Sequence, residues 1–186
     1  MNQTLQTIAT RYSCRNYTGS PVAQEALEQI AAAAMQSPSA INSQRWQVIF
    51  ITNKGLIDEL NADALEQLKN KADSSMYERI MSRGGVVYYN APVMAVVLKQ
   101  SEGTFSADMD CGILVQNMAL AATSLGLDNV ICAMGGIPFA GPQGEAFKSK
   151  INWPAGYEFA ISLLIGHGTS TDTPHSIDMS KVHFVN

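Results

Sequence analysis

The sequence predicts an α+β fold, an α/β sandwich in which helices lie on a central sheet. Three observations lead there. Segments of helical and strand period follow one another as helix–helix–strand–helices–strand–helix–strand–helix–strand, which stacks helices on a sheet. A hydrophobic content of 46% over 186 residues is ample for one core and suits a single domain over 1–186. One long segment, 108–125, is apolar nearly all round and needs cover on most sides.

At the N-terminus, Leu5 and Ile8 lie three apart, as in a short amphipathic helix ending near Arg11. Ser20-Pro21 reads as an N-cap with proline at the first helical position. From Val22 to Met35 the apolar positions Val22, Ala26, Leu27, Ile30, Ala33 and Ala34 keep a helical period, and Pro38 stops it. Gln47 to Thr52 is β-branched and aromatic, with Trp46 at its entrance, and reads as the first strand. After a turn at Asn53-Lys54-Gly55, the residues Ile57, Leu60, Ala64, Leu65 and Leu68 mark a helix to about Asn70. Lys69 to Ser75 is a polar connection, and a short helix follows through Tyr77, Ile80 and Met81 until Gly84-Gly85.

Pro92 to Leu98 is apolar on both faces and therefore an interior strand. Gln100 to Thr104 is a polar turn. In the helix at 108–125 the polar residues fall in rows seven apart, Asp110/Asn117/Ser124 and Gln116/Thr123, on one narrow stripe. Part of the cover for so apolar a helix is expected from a second subunit, and Gly126 is placed as its C′ residue. Asn129 to Met134 reads as a third strand ending in Gly135-Gly136-Ile137-Pro138. Those glycines allow either a simple turn or close approach of the backbone to a ligand. Gly144 to Lys150 is a short helix and Glu158 to Ile165 the fourth strand. Ser170 to Ser176 is polar and extended, and Val182 to Val185 is a strand-like tail of the kind that crosses onto a neighbouring subunit.

The formal charge of −4 argues against nucleic acid or an anionic membrane as a partner, since both call for a net basic face. Cys14, Cys111 and Cys132 are odd in number, widely spaced and without a C-x-x-C pair. They suggest reduced thiols in a cytoplasmic protein. Met1 to Thr10 has neither a basic n-region nor a continuous apolar run, so no signal peptide is expected. The longest apolar runs fall well short of the ~20 residues of a membrane span.

Several catalytic motifs are missing. There is no Walker phosphate loop, no G-x-G-x-x-G after the first strand and no G-x-S-x-G elbow. His167, His175 and His183 lack carboxylates at ligand spacing, so no metal site is expected. With no side chain set up for covalent chemistry, the protein either borrows a cofactor's reactivity or only binds. Two stretches suit a ligand. Arg11-Tyr12-Ser13-Cys14-Arg15 gathers two guanidinium groups and a hydroxyl, which fits a phosphate clamp or equally a solvated basic pair. Ser37-Pro38-Ser39-Ala40-Ile41-Asn42-Ser43-Gln44-Arg45-Trp46 is a loop of hydroxyls and amides that can read hydrogen-bonding edges. Together they suggest a phosphorylated heterocycle.

Those two stretches are followed in order by Ala91-Pro92-Val93, the run Asp110 to Ala122, Leu125-Gly126-Leu127, Ile165-Gly166 and Val182-His183-Phe184. The ordered set spans nearly the whole chain and resembles the nitroreductase family of FMN-dependent oxidoreductases. The resemblance implies an intertwined homodimer around a mixed, mainly antiparallel sheet, with the apolar helix in the interface and FMN in grooves between subunits. It implies that Arg11, Ser13 and Arg15 hold the phosphate and ribityl chain, with Tyr12 contributing through its backbone. Pro38, Ser39, Ala40, Asn42 and Gln44 would come from the other subunit to line the flavin and ribityl chain. Gly135 and Gly136 would offer backbone N–H groups near N5 and O4 of the ring. The chain departs from the family pattern at Arg45, where proline is common, and in the tail. There His175 stands in place of a basic pair for the phosphate. The covering insertion, roughly 61–85, is also modest.

The function implied is hydride transfer from NADH or NADPH, through flavin N5, to a nitroaromatic, quinone or similar small-molecule acceptor. A non-catalytic flavin-binding or flavin-storage protein fits the same motifs. A ligand-free apolar dimerisation module would explain the helix at 108–125 but not the paired arginines.

Overall fold

The computed structural model describes residues 1–102, 106–169 and 172–185. Four strands, β1 (Trp46–Ile51), β2 (Val93–Gln100), β3 (Asp128–Ile131) and β4 (Tyr157–Gly166), form a sheet in the order β1-β2-β4-β3. Every strand pair is antiparallel, and the parallel component is the isolated bridge between Ser13 and Asn129. The helices are α1 (Gln3–Thr10), α2 (Gln24–Met35), α3 (Lys54–Lys69), α4 (Ser75–Met81), α5 (Ala107–Ser124), α6 (Ile137–Ala140) and α7 (Gly144–Lys150).

Side chains alternate across a strand, so an interior strand feeds two cores at once. On β2, Val93, Ala95 and Val97 join a core with α2 and α5 through Ile30, Leu114, Val115 and Met118. Met94, Val96 and Leu98 join the opposite core, with Ile57, Leu60 and Ala64 of α3, and with Phe139 and Phe147. Each fully buried side chain of this size stabilises the fold by roughly 1.5–3 kcal/mol. This double burial explains why β2 has no polar face.

Most element boundaries match the sequence pattern, and three do not. Ser20-Pro21 does not open α2. The chain stays extended to Ala23 (φ −61°, ψ 139°), which precedes the helix without a side-chain cap. The hydroxyl that might have capped is not needed, because Glu25 in the first turn complements the helix dipole. β3 stops at Ile131 rather than running to residue 134. Residues 133–136 close into a 3₁₀ turn that leads straight into α6, with Pro138 in its first turn. The tail at 182–185 forms no strand within the protomer, and a 3₁₀ turn occupies Met179–Lys181 instead. Part of the polar turn at 100–104 and of the polar stretch at 170–176 lies outside the described residues.

The apolar helix α5 is covered on one side only. Leu114, Met118 and Ala122 are buried, whereas Met109 is 63% exposed and Ile113 41%. No helix among the described residues is long and apolar enough to cross a membrane.

Candidate functional site

The Arg11–Arg15 stretch is fixed by the strand beside it. The Arg11 N–H closes α1 on the Thr7 carbonyl at 3.1 Å, and the backbone then turns extended. Cys14 N–H donates to the Asn129 carbonyl at 3.0 Å, Thr18 N–H to His167 at 2.9 Å, and Thr169 N–H to Asn16 at 2.9 Å. Residues 13–18 thus run along the outer edge of β3 and past the end of β4. Cys14 and Tyr17 point inward and are buried, and the Tyr17 hydroxyl reaches the Leu164 carbonyl at 3.4 Å. Burial, and then the adjacent Asp128 carboxylate, hold the Tyr12 phenol well above its ordinary pKa. Asp128 also accepts the Gly168 N–H at 2.9 Å. The tyrosine side chain is thus engaged with Asp128.

Arg15 is exposed, and its Nη1 donates to the Ser13 carbonyl at 3.2 Å. The ion pairs among the described residues are all formed by lysines, so neither Arg11 nor Arg15 has a carboxylate partner there. Two uncompensated guanidiniums within five residues suit an anion.

The turn at 132–136 adjoins this stretch. Burial pushes the Cys132 thiol up, opposed by the N–H groups of Gly135 and Met134 and by the charge of Arg15. The charge of Arg15 is thus felt at Cys132, at the start of the turn that holds Gly135 and Gly136. The glycines themselves answer first to packing. A Cβ on Gly135 would lie 2.2 Å from Ser162 Oγ, and one on Gly136 would lie 2.6 Å from the Phe159 ring. Gly135 N–H also donates to the Cys132 carbonyl at 3.3 Å. Close approach is indeed why these are glycines, and the partner approached is β4.

The Ser37–Gln44 loop is held by α5. Asp110, buried in the first turn, accepts the Ala40 N–H at 3.2 Å, and Asn117 donates to Ser37 Oγ at 2.9 Å. The polar stripe seven residues apart is thus a grip on this loop. Ile41, Asn42 and Gln44 are held at positive φ (51°, 56° and 48°), costly for residues with side chains, and Ile41 is 91% exposed. Internal bonds brace the strain: Gln44 N–H donates to Ser39 Oγ at 3.0 Å and its Nε2 to Asn42 Oδ1 at 2.8 Å. Pro38 precedes this turn, and Arg45 donates to the Glu102 carbonyl at 3.3 Å.

One protomer does not bring the two stretches together. The loop leads into β1, one edge of the sheet, and Ser13 lies on β3, the other edge. Three strand spacings, roughly 14 Å, separate those edges. The two ends also differ: Ala40 meets the start of α5, whereas Asn129 bonds to Ala119 and Thr123 near its close. His175 is exposed in the tail, away from both groups' hydrogen bonds. Asp110, Asp128 and Ser162 carry positioning contacts not assigned from the sequence. For Asp110 and Asn117 the signal was their seven-residue spacing on an otherwise apolar helix.

The protomer is an α+β domain with a two-faced core, two arginines without carboxylate partners among the described residues on one sheet edge, and a strained polar loop on the other. The family model described as "Nitroreductase family" matches residues 8–167, and the chain belongs to that family. It is 43% identical over 172 residues to the FMN reductase [NAD(P)H] of Bacillus subtilis, and 26% identical over 169 residues to the NADPH-flavin oxidoreductase of Vibrio harveyi. Each match covers 90% of this chain but 66% of the relative, so the chain spans about two thirds of the length of these curated relatives. A nitroreductase with bound FMN from Desulfitobacterium hafniense superposes over the whole of both chains, with a TM-score of 0.96 and 45% identity. An FMN-bound nitroreductase from Bacteroides fragilis, at 24% identity and a TM-score of 0.90 over both whole chains, shares the fold.

Proposed function

We propose that residues 1–186 form one FMN-binding domain of a homodimeric, NAD(P)H-dependent oxidoreductase that reduces a nitroaromatic, quinone or similar acceptor. The observation that carries this reading is the pair of guanidiniums, Arg11 and Arg15, neither with a carboxylate partner among the described residues. The FMN-bound relative of equal length and 45% identity supplies the ligand to which that clamp is best suited. The overall change is NAD(P)H + H⁺ + acceptor → NAD(P)⁺ + reduced acceptor.

FMN, when bound, supplies the flavin N5 that takes up and passes on the hydride. The chain's part is to bind, orient and shield. Arg11 and Arg15 would neutralise the phosphate, with the Ser13 hydroxyl beside them. Gly136 N–H would be offered to the ring edge, where a fixed donor favours added negative charge. Ser39, Asn42 and Gln44, on the opposite edge of the sheet, would serve the FMN of the partner subunit together with Pro38 and Ala40. His175 would complete the phosphate shell once the tail is docked.

Three features support the dimer. Met109 and Ile113 leave one side of α5 bare, Leu5 and Ile8 of α1 are about half exposed, and Phe184 and Val185 are 82% and 97% exposed. The outer edge of β1 carries no strand among the described residues, and an uncovered edge is a template for pairing. An extended apolar tail from a second copy is a fitting cover. The three buried free thiols agree with a reducing, cytoplasmic setting.

The purified protein should be yellow, and its flavin absorbance should bleach on anaerobic addition of NADH or NADPH. Colourless protein that takes up no added FMN would sink the proposal. Flavin that neither reductant bleaches would instead mark a storage protein.

A further inference from the structure

The Gly135–Gly136 turn has a neighbour that its packing does not explain. Met134 and Ile137, on either side of the glycines, form one wall of a cleft of about 560 Å³. Leu68 at the end of α3, Ala72 in the connection and Met76 in α4 form the other wall. That volume suits a small organic ligand, and apolar walls with two adaptable thioethers suit a flat aromatic one.

Two charges stand on the rim, and they are held differently. Asp73 accepts the Ser75 N–H at 2.9 Å, and that bond lowers its carboxyl below the ordinary value. Its charge is directed at the first turn of α4. Lys71 is exposed and takes part in none of the ion pairs among the described residues, so its ammonium is free to meet an incoming anion.

We propose that this cleft takes the electron acceptor, and that Lys71 selects planar aromatic acceptors bearing an anionic substituent such as a carboxylate or sulfonate. The inference rests on the FMN reading, since FMN beside Gly135 and Gly136 is what makes the cleft adjoin the redox centre. At a water-exposed rim, one ammonium a few ångströms from an anion gives roughly a fivefold preference, reduced by salt.

The test uses the FMN-loaded protein and two kinds of measurement. Calorimetry compares a naphthalenesulfonate, which is not reduced, with the matching neutral sulfonamide. Steady-state kinetics compare kcat/KM for para-nitrobenzoate and para-nitrobenzamide. Wild type should favour the anion in both pairs. K71Q should lower the anion-over-neutral ratio about fivefold, and D73N should raise it. A ratio unchanged in K71Q overturns the inference. Failure of the FMN reading shows elsewhere, as protein that neither holds nor takes up FMN. The sulfonate preference and its loss in K71Q would then still report on the cleft.

Discussion

Asp110, in the first turn of α5, accepts the backbone N–H of Ala40 at 3.2 Å and so ties the strained 39–44 loop to the helix that runs across the sheet. Replacing Asp110 with alanine leaves that N–H without its acceptor, a loss of roughly 1–3 kcal/mol. Asp110→Asn keeps an acceptor oxygen and should lose less. Urea unfolding measures the stability loss and a flavin titration measures the second effect. FMN affinity should fall in Asp110→Ala, because the loop that would line the partner's flavin is released. Unchanged affinity would remove the loop from the site.

Arg15 is exposed and, among the described residues, bonded to the Ser13 carbonyl alone, so its removal should leave thermal stability untouched. A charge-assisted contact contributes about 1.5–3 kcal/mol, which corresponds to roughly ten- to hundredfold in affinity. Arg15→Ala should therefore release FMN more readily than any other single change, with His175→Ala much milder. Retention of FMN by Arg15→Ala at wild-type affinity would refute the clamp.

Gly135→Ala places a methyl group 2.2 Å from Ser162 Oγ and 2.9 Å from its Cβ. The Ser162 hydroxyl is not free to move away, since it donates to the Cys132 carbonyl at 2.6 Å. Overpacking of this kind costs about 1–3 kcal/mol, or roughly 2–4 °C of Tm per kcal/mol at this chain length. Differential scanning calorimetry should show the drop. A wild-type Tm would mean that the turn stands further from β4.

Deleting residues 177–186 removes Ile177, Val182, Phe184 and Val185 from the tail. Since Phe184 and Val185 are almost fully exposed in the protomer, the monomer should lose little stability. The dimer should weaken, which sedimentation equilibrium would record as a rise in the dissociation constant. A dimer of unchanged strength would show that the tail covers nothing in the partner.

Burial, and then Asp108 and Asp110, push the Cys111 thiol up to about 11 from its ordinary 9.0. A raised thiol pKa means the folded state favours the protonated form. The resulting stability is fully present below pH 9.0 and disappears as pH rises through about 11. Tyr17 and Tyr88, raised chiefly by burial, act in the same direction at still higher pH. Urea unfolding repeated across that window should show wild type losing stability more steeply than Cys111→Ala. Parallel curves would mean that Cys111 is solvated in the native state.

Much of the fold was legible because each element carries its own period. The two-sided apolar run at Pro92–Leu98 could only be an interior strand, and β2 feeds both cores. The apolar helix at 108–125 likewise had to be covered, and one of its sides is bare within the protomer. What failed locally depended on neighbours. Cys132 to Met134 has strand-like residues, yet the chain leaves the sheet there because it must close onto β4 through Ser162 and Phe159. Ser20-Pro21 has the form of a cap, yet the chain is still bridging from Tyr17 and Thr18 on the sheet edge to α2.

By itself the sequence determined the periodic elements, the apolar helix and the two stretches whose residue types suit a ligand, since each depends on residues close together in the chain. Only the tertiary structure decided that these stretches lie on opposite edges of one sheet. Strand order follows from which faces pack together, and short-range sequence pattern carries no information about that. The same packing turned Gly135 and Gly136 toward β4 and assigned Asp110 to Ala40, seventy residues away.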